Sequence, residues 1–287
     1  MKATFLLVLI LLAALLSGCI SQKEGSSQIK VATTIIPLGE FVRTVGKDRV
    51  AVTVLVPPGG EPHTFEPSPS QIREVADADI YVENGVGLES WMDNILKVNP
   101  RMLVVDSSKG ISLIGGNSEA ASSGRRSMDT HVWLSPRDAM IQVRNICDSL
   151  IEVDPAGKDF YINNRENYIT KLKELDSHLN STFVGLKKKK FVVLHPAWTY
   201  FARDYGLEQI AIEVEEKEPG PRYVTDVLNV AKANNITTVF VEPQYNPKMA
   251  EVISKEINGK VVSIDDLAPN YIDNLESVGQ KIAESLR

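Results

Sequence analysis

Three of the four histidines in the 287 residues stand where an apolar run gives way to proline. His63 lies in Val56-Pro57-Pro58-Gly59-Gly60-Glu61-Pro62-His63-Thr64-Phe65-Glu66-Pro67-Ser68-Pro69-Ser70, His131 in Thr130-His131-Val132-Trp133-Leu134-Ser135-Pro136, and His195 in Val192-Val193-Leu194-His195-Pro196. Neutral imidazole is the commonest metal ligand, and the competing reading is three unrelated loop histidines. The setting of His63 favours binding. Its loop leaves a β-branched run and is stiffened by prolines and a Gly pair. A loop that has given up backbone freedom beforehand suits a ligand-holding residue.

The elements around these residues alternate. In the first half, 29–35, 50–56, 79–82 and 102–105 read as strands, and 38–45, 70–76 and 88–98 as helices, with Ser70 as cap of the second. Strand and helix taking turns implies a parallel sheet with helices on its faces. Residues 115–127, rich in Gly, Ser and Ala with paired arginines, read as a mobile surface loop. Ser135-Pro136 caps and starts a helix with apolar positions Ala139, Val143, Ile146 and Leu150. Asp154-Pro155 opens the longest pattern, whose apolar stripe runs through Tyr161, Tyr168, Leu172, Leu175, Leu179, Phe183 and Leu186, roughly 45 Å. Such a helix can join two domains as a rigid spine. His178 lies one position off the stripe and reads as a surface or helix-packing residue.

The alternation then repeats, with strands at 191–194, 209–212, 238–241 and 261–264 and a helix at 222–233. His195, Glu242 and Asp265 each follow one of these strands, at the carboxyl edge where open α/β sheets bind ligands. His63 stands in a strand-to-helix loop of the first domain and His131 near that domain's end. A cleft between two facing domains can therefore gather these side chains. The expected division is an α/β domain at 29–152, a linking helix at 153–188 and a second α/β domain at 189–287.

The chain opens on Met1-Lys2-Ala3-Thr4 and an unbroken apolar run at 5–16, the pattern of a secretory signal ending near residue 18. Leu16-Ser17-Gly18-Cys19 resembles the lipobox of exported lipoproteins, which makes Cys19 the expected lipidated residue and 19–28 a polar tether. The other cysteine, Cys147, falls in a helix and reads as a small core residue. A net charge of −6 argues against a nucleic-acid partner. The run of lysines at 187–190 does not alter this, because it closes a predicted helix, where cations meet the negative end of the dipole.

The chain resembles, over essentially its whole length from Cys19, the zinc and manganese type of solute-binding lipoproteins of ABC importers. The resemblance is carried by Pro58-Gly59-Gly60-Glu61-Pro62-His63-Thr64-Phe65-Glu66-Pro67, Asp129-Thr130-His131-Val132-Trp133-Leu134-Ser135-Pro136 and the segment from His195-Pro196-Ala197-Trp198 to Gly206-Leu207. Val239-Phe240-Val241-Glu242-Pro243-Gln244 and Val262-Ser263-Ile264-Asp265-Asp266-Leu267 complete it. It implies two Rossmann-like α/β domains joined by one long helix, with the metal between them. His63, His131 and His195 are then the nitrogen ligands and Asp265 the carboxylate, with Asp266 as rival; the family often has proline just after the ligand, which places it at Asp265. It also implies an extracytoplasmic monomer, anchored to the membrane by lipid and handing its metal to an ABC permease.

Glu61, Thr130 and Pro196 depart from the family's usual Asp, Pro and acidic residue, and none removes a ligand. The 115–127 loop lacks the His-rich tract of many zinc members. Three imidazoles and a carboxylate suit tetrahedral Zn²⁺, whereas Mn²⁺, the alternative, prefers more oxygen. Manganese-type relatives tend to carry Glu where this chain has His195. A zinc hydrolase would keep a ligand position for water, and there is no His-Glu-x-x-His segment. A metal-chelate-binding or adhesion lipoprotein is the other alternative, and it requires no free metal.

Overall fold

β-branched runs dominate the first sheet: β1 (Ile29–Thr33), β2 (Val50–Val54), β3 (Ile80–Glu83) and β4 (Leu103–Asp106). They pair in parallel in the order β2-β1-β3-β4, with Val31 opposite both Val52 and Ile80, and Ile80 opposite Leu103. Helices α1 (Ile36–Gly46), α2 (Pro69–Glu74) and α3 (Met92–Val98) alternate with these strands. The computed structural model describes residues 28–116, 128–213 and 220–287. The signal sequence, Cys19, nearly all of the tether and positions 117–127 of the expected loop lie outside the described residues. No described helix is long and apolar enough to cross a membrane.

A second parallel sheet repeats the plan. Its strands are β5 (Lys190–Val193), β6 (Glu208–Ala211), β7 (Thr238–Val241) and β8 (Lys260–Ser263), in the order β6-β5-β7-β8. Every residue of β7 is buried, as expected of an inner parallel strand covered on both faces. The other helices are α4 (Pro136–Val153), α5 (Lys158–Phe183), α6 (Thr199–Tyr205), α7 (Pro221–Ala233), α8 (Lys248–Glu256) and α9 (Tyr271–Ser285).

Two helix starts differ from the sequence reading. The cap of α2 is Ser68, not Ser70: Ser68 and Gln71 form a reciprocal capping box, and Pro69 takes the first helical position, where its missing N–H costs nothing. Asp154-Pro155 opens a 3-10 turn, Pro155–Gly157, before α5 begins. Arg49 pins that turn through an ion pair to Asp154 of 2.6 Å, and Tyr161 donates its hydroxyl to the same carboxylate at 2.7 Å. The 26 residues of α5 span about 39 Å. The helix stops short of Leu186 because Val184 is extended and Gly185 adopts φ +80°, a conformation open to glycine.

The buried stripe of α5 is Tyr161, Tyr168, Ile169, Leu172, Leu175, Leu179 and Phe183. It packs on α1 and α4 of the first lobe and on α9. The last helix reaches back across the lobes: Tyr271 lies edge-on to Phe41 with ring centroids 4.9 Å apart, and its backbone N–H donates to Glu40 at 3.0 Å. Apolar residues of both lobes thereby form one continuous core. Polar contacts cross the same seam. Arg203 pairs with Asp138 at 2.8 Å, and Ser135 donates its hydroxyl to Asp204. Trp133 donates its indole N–H to the Asp266 carbonyl at 2.7 Å, while the Tyr271 hydroxyl donates to the Trp133 carbonyl at 2.6 Å. Tyr271→Phe leaves that buried carbonyl without its donor and is expected to lower stability by about 1–3 kcal/mol. Urea unfolding of the metal-free chain checks this, with the midpoint falling and the m value unchanged.

Candidate metal centre

Each histidine of the expected trio is delivered by a different piece of backbone. After β2, Leu55 and Val56 donate to the carbonyls of Thr33 and Thr34, so the Pro-rich loop departs from the carboxyl edge of the first sheet. The Glu61 carboxylate then accepts the backbone N–H groups of His63 at 2.8 Å and Thr64 at 2.7 Å, which folds the loop tip around it. Phe65 anchors the far side by packing edge-on against Trp91.

His131 leads into a 3-10 turn, Val132–Leu134. Asp129 Oδ1 accepts the backbone N–H of His131 at 2.9 Å and lies 2.8 Å from its Nδ1. This holds the ring proton on Nδ1 and turns the Nε2 lone pair toward the other histidines. His195 lies two residues beyond β5. Its Nδ1 is 3.4 Å from Glu213 Oε2, its backbone N–H faces Glu242 at 3.4 Å, and the Tyr245 ring stacks on it at 4.4 Å.

The three imidazoles converge. His131 Nε2 lies 3.1 Å from both His63 Nε2 and His195 Nε2, and one ligand atom from each ring falls within 4.8 Å of the others. Two nitrogens each about 2.0–2.1 Å from a tetrahedral Zn²⁺ stand about 3.3 Å apart. The triad thus has nearly the ligand spacing of such an ion already. His131 and His195 are 5% and 2% exposed, and His63 is half-buried.

Burial, with the neighbouring His131 second, pushes the His63 pKa down to about 4; the same two causes and His63 itself hold His195 well below its ordinary value. Both rings are consequently neutral, the form that coordinates metal, at neutral pH. His178 has no part in this group. It is exposed and pairs with Glu276 at 3.1 Å, joining α5 to α9.

Asp265, the expected carboxylate, does not join the three nitrogens. Its Oδ1 accepts from Gln244 Nε2 at 3.1 Å and from the Leu267 backbone N–H at 2.9 Å. The neighbouring Asp266 is 4% exposed, and its Oδ1 has no hydrogen-bond partner. Burial pushes its pKa up to about 7, against the opposing pull of His131. Glu242, fully buried, is raised well above the carboxylate range by burial and then by Asp266, although it accepts the Trp198 indole N–H at 2.9 Å.

Sequence reasoning assigned no role to Asp129, Glu213 or Tyr245. Asp129 carried a signal, a carboxylate two residues before a candidate ligand. Glu213 and Tyr245, 18 and 50 residues beyond His195, carried none.

A family described as the periplasmic component A of the zinc-uptake complex, ZnuA, matches residues 31–285. The chain belongs to this family. Among its ZnuA-family relatives is the high-affinity zinc uptake system protein ZnuA of Bacillus subtilis, 33% identical over 263 residues that cover 86% of this chain and 82% of that protein. Another is the manganese-binding lipoprotein MntA of Halalkalibacterium halodurans, 31% identical over 263 residues, covering 89% of this chain and 86% of the relative. A crystal structure of ZnuA superposes with a TM-score of 0.86 at 37% identity, covering 91% of this chain and all of that one. The fold is therefore that of the ZnuA-type two-domain binding proteins, with α5 linking the domains.

Asp129→Ala frees the His131 ring to turn and to take its proton on Nε2. It is expected to weaken Zn²⁺ binding by about 10- to 100-fold, read by chelator competition. The pH dependence follows from the directions above. His63 competes for protons only as the pH falls toward about 4, whereas below pH 7 Asp266 holds a proton that an arriving cation must expel. Because His63 and His195 take up protons only well below the ordinary histidine value, the logarithm of the affinity should fall with a slope clearly below three between pH 7 and 5 and steepen as the pH approaches about 4. Asp266→Asn should flatten the shallow part. A slope near three setting in at about pH 6.5 would mean that the histidines titrate as in solution.

Proposed function

We propose that this chain is the extracytoplasmic metal-binding component of an ABC importer, which captures free Zn²⁺ between its lobes and hands it to a membrane permease. The convergence of the three imidazoles, with His131 Nε2 3.1 Å from the Nε2 of each of the other two and all three ligand nitrogens within 4.8 Å of one another, carries this reading. His63, His131 and His195 supply the nitrogen donors. Asp265 supplies the carboxylate by giving up its hydrogen bonds to Gln244 and Leu267, and Asp266 stands behind His131 as a buried counter-charge. Three borderline nitrogens and one oxygen favour Zn²⁺ over Mn²⁺, which prefers more oxygen donors. The role is carriage and not catalysis. Cys19 bears the lipid that anchors a monomer to the outer face of the cell membrane, with 19–28 as tether.

Equilibrium dialysis against free Zn²⁺ tests the assignment. Wild type and His178→Ala should retain a single tight Zn²⁺ per chain. His63→Ala, His131→Ala and His195→Ala should each weaken binding at least about tenfold, since each removes one of four donors. Asp265→Asn should cost more affinity than Asp266→Asn at pH 7.5; the reverse order would move the donor by one residue. Equal losses at all four histidines would defeat the ligand set.

A further inference from the structure

His63 is the half-exposed member of the triad, carried by a loop outside any helix or strand. The position of that loop decides whether the third nitrogen is in place. Glu61 organises it from within the first lobe, through the backbone N–H groups of His63 and Thr64 and the Thr64 hydroxyl, the last at 2.6 Å. From the second lobe comes Tyr245, four residues beyond the end of β7. Its ring lies nearly parallel to His195, 16° between planes, and its hydroxyl donates to Glu61 Oε1 at 3.4 Å. One side chain thus meets a second-lobe histidine by its face and the organiser of the first-lobe loop by its tip.

We infer that Tyr245 is a clasp across the cleft: a positioning residue that holds Glu61, and through it His63, against His195, and so slows the departure of bound metal. The inference rests on the metal-carrier reading above. Release begins at the donor easiest to move. The rings of His131 and His195 are buried, with Asp129 and Glu213 at their outer nitrogens, whereas the His63 loop faces solvent. The clasp lies on that route, so its loss acts on the dissociation rate, where most affinity differences between related complexes arise. The phenol is suited to the task. A tyrosine hydroxyl is a donor at physiological pH, and its ring can keep the stack on His195 while the tip reaches Glu61.

The test compares full-length wild type with Tyr245→Phe, Glu61→Asp and the double variant. Phenylalanine keeps the stack and removes only the hydroxyl. Aspartate keeps the charge and can still cap N–H groups two and three residues on, as Asx turns do, but draws back from Tyr245 by one methylene. Zn²⁺ dissociation is followed by stopped-flow mixing with excess chelator, association separately, and stoichiometry by dialysis. Each single variant should release Zn²⁺ about three- to tenfold faster, as loss of one modest hydrogen bond allows. Association should change by less than about twofold. The double variant should release no faster than the faster single one. In the metal-free chain, the backbone amides of His63 and Thr64 should exchange hydrogen faster in Tyr245→Phe than in wild type, with amides of the buried α5 stripe changed far less. An unchanged dissociation rate in Tyr245→Phe with a single Zn²⁺ still bound overturns the clasp and leaves the carrier reading intact, as does a double variant whose effects multiply. Wild type that binds no Zn²⁺ overturns the carrier reading itself.

Discussion

The packing around Trp133 is the constraint on which the rest of the molecule depends. The side chain is fully buried, touches the His131 ring at 5.2 Å, donates its indole N–H to Asp266 of the second lobe, and has its own carbonyl met by the hydroxyl of Tyr271. One residue thereby fixes where a first-lobe histidine stands relative to the second-lobe strand ends. The triad needs such a frame because imidazoles whose nitrogens lie 3.1 Å from the central His131 gain nothing from one another once protonated. Like charges at that separation and out of water repel strongly, so burial and His131 together push the pKa values of His63 and His195 down, and the frame, not mutual attraction, holds the rings. The spacing of the three nitrogens is thus set by packing around Trp133 and by the acids at their outer edges.

Around the rings the acids divide the labour. Asp129 and Glu213 sit at the outer nitrogens of His131 and His195 and orient them, Glu61 shapes the loop of His63, and Glu242 and Asp266 lie buried beneath. Burial raises the pKa of both, and Asp266 raises that of Glu242 further, because desolvated carboxylates near one another cannot all keep their charge cheaply. A divalent cation placed above them reverses that balance, as bound metals do for neighbouring acids.

Much of this was legible in the sequence. The β-branched runs and helical spacings placed both parallel sheets to within a residue or two at most strand ends, most directly for the inner strands β1, β3, β5 and β7, where burial leaves little choice of composition. Ser135 and Pro136 marked the start of α4 through local capping chemistry alone. At the start of α2 two serines two residues apart were both plausible caps, and Pro69 decided for Ser68. The three histidines stood out because each sits at a strand end or a proline-stiffened loop. The two adjacent aspartates did not resolve, since neighbouring side chains after a strand point in opposite directions and the turn at Leu267 sets which one faces where. Glu213 and Tyr245 were out of reach altogether, being brought to His195 by the parallel crossover between strands and not by local spacing.

The same frame limits how the metal can leave. The apolar stripe of α5 packs against α1, α4 and α9, and α9 itself crosses back to Phe41 and Glu40, so the lobes share one buried core instead of meeting across a thin hinge. A wide rotation of one lobe would have to expose part of that core and break the Arg203 to Asp138 ion pair together with the bonds of Trp133 and Tyr271. The Pro-rich loop that carries His63 is less deeply set: among its contacts to the rest of the molecule are the Tyr245 hydroxyl at Glu61 and the edge of Phe65 on Trp91. Segments that open most readily are those with few buried apolar contacts, and here such a segment holds one of the three nitrogens. On the proposed carrier reading, the rigid part of the molecule sets the geometry of the ligands and the loop sets the rate of release.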